Sequence, residues 1–477
     1  MTDREDTGFE PVPGFDPVDV FPDGELDLRV NADDCYKCST CDTTCPVAAV
    51  DDSFPGPKFQ GPEQWRLKRR EDADIDSSIT DCSNCMRCDS ACPTGVPLSQ
   101  MHNEARGAYV SEQMSRFSRT YWRNRLLANY RTVAWLGSKL PRTTNFVLGS
   151  RPVRWLNERL LGVTSEREFP AFATQTFRDW WNERGGAAES RRRAQAARER
   201  RDEAEQKRVA YFHGCYANYN TPSIAKAMVR VYEYFGYEVV VPKQGCSGTP
   251  MFANGMLDDA RRHAETNVSN LANLIEDGYD VICSCTSCSL SLKQEYPELF
   301  SLDGIDTVSA HTYEALEYLR IHEDLQGALT NNSYEGNNSQ NISHEGNKYS
   351  TYERNNNGAE NGVDSATSYA YHAPCHARNQ GLDRQAVELF REIDGIRIED
   401  VGDSCSGISG TYGWKAEKYE RSMAIGEEMF EEMDHATGET GLTECPTCAS
   451  QMEHGTGYEV RHPLEVLEDV LVDETRE

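Results

Sequence analysis

Cysteine spacing constrains this chain more than any other feature. Two runs, Cys35-x2-Cys38-x2-Cys41-x3-Cys45-Pro46 and Cys82-x2-Cys85-x2-Cys88-x3-Cys92-Pro93, share one pattern. Thiolates at i, i+3 and i+6 wrap three corners of one cubane, and the fourth, displaced and turned by the following proline, reaches the neighbouring cluster. The expected ligand sets are therefore crossed: Cys35, Cys38, Cys41 and Cys92 hold cluster 1, and Cys82, Cys85, Cys88 and Cys45 hold cluster 2. Iron is the expected metal, as two [4Fe-4S] clusters. Two zinc sites are the competing reading, but zinc ligands usually come as separated Cys pairs.

The spacing is that of the bacterial two-cluster ferredoxins at every position. The 36 residues between the runs, and the helical context after each, differ from a compact small ferredoxin. A helical two-cluster ferredoxin domain over 31–110 fits better, acting as a relay with no substrate of its own.

Further along, the chain repeats itself. Cys215, Cys246, Cys285 and Cys288 are spaced 31, 39 and 3 apart, and Cys375, Cys405, Cys445 and Cys448 are spaced 30, 40 and 3 apart. In each half, short apolar runs alternate with amphipathic helices and each Cys follows a predicted strand, so two duplicated α/β domains with parallel βαβ units are expected over 209–325 and 369–472. Open parallel sheets place ligands just beyond the carboxyl ends of their strands. Each set of four thiols is expected to hold one more cluster, cluster 3 in the first domain and cluster 4 in the second. Structural zinc competes here too, since four Cys ending in CxxC is an acceptable zinc set. Cys283 stands outside both repeats and is expected to be a buried thiol facing away from Cys285.

Composition narrows the class. Seventeen cysteines without a signal peptide read as reduced, metal-bound thiols rather than disulfides. No run of roughly 18 apolar residues is present, which excludes a membrane-spanning helix. A net charge of −29 argues against a nucleic-acid partner, and with 38 Arg against 11 Lys it reads as adaptation to salt.

The remaining segments separate by pattern. Residues 1–30 read as a disordered leader, 186–208 as a charged, solvated helical spacer, and the Asn/Gly/Ser-rich 326–368 as a low-complexity linker. Residues 111–185 read as a helical segment rich in basic and aromatic residues. Between Arg116 and Arg159 ten basic residues face one acid, Glu158. Either the segment meets an anionic membrane surface through its aromatics and arginines, or its arginines sit at a protein interface.

His213, His372, His311 and His462 recur in the two halves and are candidates for contacts to cluster sulfurs or a quinone site, with structural histidines as the plainer alternative. GISGTYG lacks the spacing of a dinucleotide loop, so no FAD or NAD is expected on this chain. Neither a catalytic residue nor oxidation of an organic substrate by this chain alone is expected.

The order of parts resembles the fused iron–sulfur subunits of the heterodisulfide-reductase and glycolate-oxidase type. The strings CTSCSLSLKQEYPEL (285–299), GISGTYGWKAEKYERS (407–422) and LTECPTCASQMEHGTGYEVRHPLEVL (442–467) are similar to the C-subunit family of anaerobic glycerol-3-phosphate dehydrogenase. The resemblance implies a component of an oxidoreductase of anaerobic respiration, one that takes electrons from a flavoprotein partner and passes them to the membrane quinone pool. It also implies a place in the cytoplasm, peripheral on the inner face of the cell membrane. One departure stands out: the cysteine-rich pattern has Cys-Cys-Gly, whereas this chain reads Cys246-Ser247-Gly248 and Cys405-Ser406-Gly407. Ordinary cubanes, or a Ser-modified non-cubane type, are therefore expected. Heterodisulfide reduction at an open cluster, or the iron–sulfur role in a glycolate or lactate dehydrogenase, are the alternatives.

Overall fold

The computed structural model describes residues 31–71, 73–330, 367–438 and 440–472. The leader and most of the linker expected from sequence lie outside these residues.

Residues 31–113 form short helices and turns without a strand, ending in the helix Leu98–Ala108, whose buried side supports both cysteine runs. All eight strands of the described residues belong to the repeat. In the first half β1 (Lys207–Phe212), β2 (Tyr237–Val240), β3 (Asp280–Cys283) and β4 (Thr312–Glu314) form a parallel sheet in the order β2-β1-β3-β4. In the second half β5 (Thr367–Tyr371), β6 (Ile396–Asp400), β7 (Thr440–Leu442) and β8 (Glu459–Arg461) repeat it as β6-β5-β7-β8. Central strands read as unbroken apolar runs because helices cover both faces, and Val209 through Phe212 are wholly buried.

The two halves share a core. Helix Pro222–Tyr234 of the first packs on helix Pro463–Leu471 of the second, and helix Ala315–His322 packs on helix Gln385–Phe390, the same contact with the halves exchanged. Tyr211, Tyr232, Tyr371 and Leu467 thus lie in one apolar cluster. Gln385 donates to the buried carboxylate of Glu314 across the junction at 2.8 Å.

The charged stretch after 186 is a helix, Gly186–Arg201, but not a solvated spacer. It lies along β2, the edge strand of the first sheet. Val239 N–H donates to Ser190 Oγ at 3.0 Å, Arg191 pairs with Glu238 at 2.6 Å, and Ala194 and Ala197 are buried. An open parallel edge exposes backbone donors and acceptors, and this helix covers them. Its alanines and one serine make the buried face, too weak a stripe to read against so many charges.

Helices Arg119–Ala128, Tyr130–Gly137, Pro141–Gly149 and Arg151–Leu161 form the basic, aromatic segment. Several arginines there are structural. Arg123, buried, makes a two-pronged pair with Glu417 at 2.6 Å on both nitrogens, Arg131 donates to the Gly245 carbonyl at 3.3 Å, and Arg125 and Arg154 meet Asp259 and Glu168, each at 3.7 Å. Of the fourteen exposed large hydrophobic side chains among the described residues, eleven lie between Phe117 and Leu160, so an apolar outer face remains. No helix of the described residues is long and apolar enough to cross a membrane.

Candidate iron–sulfur sites and the cavity they share

The cysteine runs fold alike. In each, the second residue after the first Cys and the residue after the second Cys adopt left-handed backbone: Lys37 and Ser39 at φ 59° and 65°, Asn84 and Met86 at 56° and 59°. Four non-glycine residues in this region are a cost accepted at functional loops. The loop curls so that the third Cys opens a short helix, Thr40–Thr43 or Arg87–Ala91. The fourth Cys is extended in both runs, with Cys45 at φ −77°, ψ 118° and Cys92 at φ −76°, ψ 114°, each followed by proline.

The structure brings each crossed set of cysteines together around its own small cavity. Cys35, Cys38, Cys41 and Cys92 line one cavity of about 50 Å³, and Cys45, Cys82, Cys85 and Cys88 line another of about 20 Å³. Among the described residues no His, Cys, Asp or Glu group closes to single-ion coordination. The thiols instead ring small volumes, the arrangement a multi-iron cluster takes. Burial pushes the Cys41 and Cys45 thiols up to about 12, so without a bound cation both stay protonated. At the second site burial opposes ionisation, but His102, 3.9 Å from Cys82, and the charge of Arg106 bring Cys82 down to about 7.

The eight repeat cysteines do not form two separate pockets. Cys215, Cys246, Cys285, Cys288, Cys375, Cys405, Cys445 and Cys448 all line one cavity of about 350 Å³ at the carboxyl ends of both sheets. The Cys285 and Cys445 thiols are electrostatic neighbours across the junction of the halves, and Ser287 Oγ of the first half lies 3.8 Å from Cys445 Sγ. Cys85 of the ferredoxin domain lines this cavity as well as its own, and the neighbouring Cys405 thiol draws its thiol down from the usual range. Positive charge is placed beside each set: Arg131 by Cys215 and Cys246, Arg378 by Cys375 and Cys85. An anionic thiolate-bound cluster fits such surroundings.

The two serines that replace the second Cys of the usual triplet occupy matching places. Ser247 Oγ lies 3.4 Å from Cys288 Sγ, and Ser406 Oγ lies 3.4 Å from Cys448 Sγ. The glycine after each has positive φ, +97° at Gly248 and +80° at Gly407, and a Cβ at Gly407 would strike the Ser422 carbonyl oxygen.

Cys283 is buried and does not line the cavity. The reason is not strand alternation, which returns residues i and i+2 to one face; β3 ends at Cys283, and Cys285 has already left the strand.

The histidines divide differently from the sequence reading. Strand register places Glu314 opposite Cys283, and His462 follows β8 at the equivalent point, so the counterpart of His462 is Glu314 rather than His311. Both are capping residues, of helices Ala315–His322 and Pro463–Leu471. His311 pairs with Asp280 at 2.9 Å and lies half exposed, away from the cavity. His213 lines it, yet its Nδ1 bonds the Gly214 carbonyl and its Nε2 accepts from Arg178 at 3.0 Å, leaving neither nitrogen for a sulfur. His372 is fully buried outside it. Two histidines escaped the sequence reading: His102 beside Cys82, and His376, which bridges Ser287 of the first half at 2.9 Å and lines the cavity. His376 follows Cys375 directly, the one local signal available.

Residues 31–96 match the 4Fe-4S dicluster domain, and 209–293 and 369–453 each match the cysteine-rich domain. The C subunit of anaerobic glycerol-3-phosphate dehydrogenase from Escherichia coli (strain K12) is 30% identical over 441 residues, covering 92% of this chain and 98% of the relative. The chain belongs to that C-subunit family. As a member it is an iron–sulfur subunit of an oxidoreductase. More distant similarity reaches the B subunit of fumarate reductase (CoM/CoB) from Methanothermobacter marburgensis, 26% identical over 56% of this chain and 47% of the relative. Lactate utilization protein A of Halalkalibacterium halodurans is 22% identical over 49% of this chain and 82% of the relative.

Proposed function

We propose that this protein carries electrons from a flavoprotein that oxidises sn-glycerol 3-phosphate to dihydroxyacetone phosphate, and delivers them to membrane quinone. Similarity to the glycerol-3-phosphate dehydrogenase relative over nearly its whole length supports the substrate. The single observation that carries the relay is Cys85, which belongs to a ferredoxin-type set and also lines the cavity of the repeat cysteines. When loaded, the two crossed sets and the two repeat sets would supply one-electron centres, about sixteen irons if each is a [4Fe-4S] cluster. The chain's own residues keep these centres close, shield them from water and place Arg131 and Arg378 against their negative charge.

The apolar outer face between Phe117 and Leu160 supports attachment to the cytoplasmic membrane surface. Arg116, Lys139, Arg142 and Arg151 are exposed there and available to anionic headgroups, whereas Arg123 and Arg131 serve the fold. Leu136→Asp with Phe146→Asp should abolish co-sedimentation with anionic vesicles; retained binding would assign the face to a protein partner.

The decisive experiment purifies the native complex anaerobically, identifies its flavoprotein and measures glycerol 3-phosphate oxidation. A complex that oxidises lactate or glycolate instead would support the reading favoured by the lactate utilization relative. One that reduces a heterodisulfide would support the alternative drawn from the resemblance to heterodisulfide-reductase-type subunits.

A further inference from the structure

The shared cavity is not lined by cysteines alone. Part of its wall comes from the basic, aromatic helices, through Leu126, Tyr130, Val133, Asn157 and Leu161, with Phe169 beside them. Phe169 stacks on Trp414 at 5.4 Å between ring centres, which gives this wall a flat aromatic surface. Leu126 is 43% exposed while lining the cavity, so the space reaches the surface at that point. The same helix carries exposed Trp122, and Trp135 and Trp155 stand exposed on the neighbouring helices, so the mouth opens within the apolar outer face. The wall is nearly all carbon, and its polar exceptions are few. Tyr130 is committed to Asn220 at 2.7 Å, whereas the side-chain amide of Asn157 makes no hydrogen bond to the described residues.

We propose that this helical wall of the cavity binds the flat ring of a lipophilic quinone, entering beside Leu126 from the membrane-facing side. A small-molecule site is a concave, mostly apolar space of about 300–1,000 Å³ with a few placed polar groups, and one open to an apolar surface suits a ligand that arrives from lipid. The Asn157 amide supplies a hydrogen-bond donor for one ring carbonyl, and Phe169 with Trp414 supplies the stacking wall. The cysteine sets that line the same cavity put the ring next to the source of electrons. The bound dione takes two electrons, which originate in the reduced flavin of the partner, and two protons from water at the mouth, and leaves as the diol with no bond to the protein. The site rests on the functional reading above for the ring's role as acceptor, but its occupancy can be measured without it.

The test uses the iron-loaded full chain and 2,3-dimethyl-1,4-naphthoquinone, whose substituted ring does not add to thiols, in equilibrium dialysis. Wild type should bind one ring per chain, and Asn157→Leu and Leu161→Trp should each weaken binding by at least about tenfold with unchanged iron content. An azido-quinone should label peptides containing Leu126, Asn157 or Phe169, a result that needs no variant to fold. Failure of wild type to bind, labelling elsewhere, or wild-type affinity in both variants would overturn the site. In the complete complex the variants should lose quinone reduction but keep reduction of ferricyanide by glycerol 3-phosphate. If the complex does not oxidise glycerol 3-phosphate while the ring still binds and labels as stated, the functional reading fails and the site stands.

Discussion

The ferredoxin domain and the duplicated modules both gather cysteines in fours, and they do it by different physics. In the first, local spacing sets three thiols around one small cavity and an extended fourth residue donates across to the other. In the second, the thiols of each set come from three strand ends as much as 73 residues apart, and a common core between halves merges both sets into one cavity of about 350 Å³. A motif-built site closes tightly on its cluster. A topology-built site gathers thiols from both halves into one larger cavity that other side chains also line.

Crossing is the sharpest feature of the tight sites, and breaking it has the largest expected effect. Cys45→Ser should erase the paramagnetic signal of the centre built on Cys82, Cys85 and Cys88 and spare that of Cys35, Cys38 and Cys41. Loss of the other signal would mean each run closes on itself and would remove the contrast with the modules.

In the modules the contrast between lining and buried thiols can be weighed by iron. Cys285→Ser should lower anaerobically measured iron by about a quarter if four [4Fe-4S] clusters are present, while Cys283→Ser should leave it unchanged because its thiol lies off the cavity. Iron loss in Cys283→Ser would make it a fifth ligand of the first set.

A smaller effect tests whether the helical wall belongs to the modules. Arg123→Met removes the two-pronged contact to Glu417, a carboxylate that is half exposed and can rehydrate, so the expected cost is roughly 1–3 kcal/mol in the unfolding of the repeat region. Denaturant unfolding followed by tryptophan emission reads it; an unchanged midpoint would make the segment an independent appendage.

The smallest effect concerns charge. Arg378 lies beside Cys375 and Cys85, at the boundary of the two regions. Arg378→Met removes a positive charge that favours the reduced, more negative centre, so the midpoint potential there should fall by on the order of 50 mV. Redox titration with spectroscopic detection checks it, and an unmoved potential would show the charge to be screened.

Much of the architecture is legible in the linear order. The ferredoxin-type domain and the two parallel modules follow from short-range spacing and from an internal repeat. The helix Gly186–Arg201 departs from its sequence reading because its buried stripe is alanine and serine, invisible beside its arginines. The histidine pairing fails because strand register, not distance from a cysteine, decides equivalence, and register puts Glu314 where His462 stands.

Sequence by itself determined the two ferredoxin-type motifs and the duplication, since spacing and periodicity are properties of a few neighbouring residues or of a repeat compared with itself. Tertiary structure alone decided that the module sets face one another, that Cys85 stands between two sites, and that the basic helices wall a cavity. Those facts depend on how three separately legible pieces dock. Docking is governed by buried surfaces and paired charges between residues hundreds of positions apart, such as Arg123 with Glu417 and Arg87 with Asp403, for which the linear order carries no period to read.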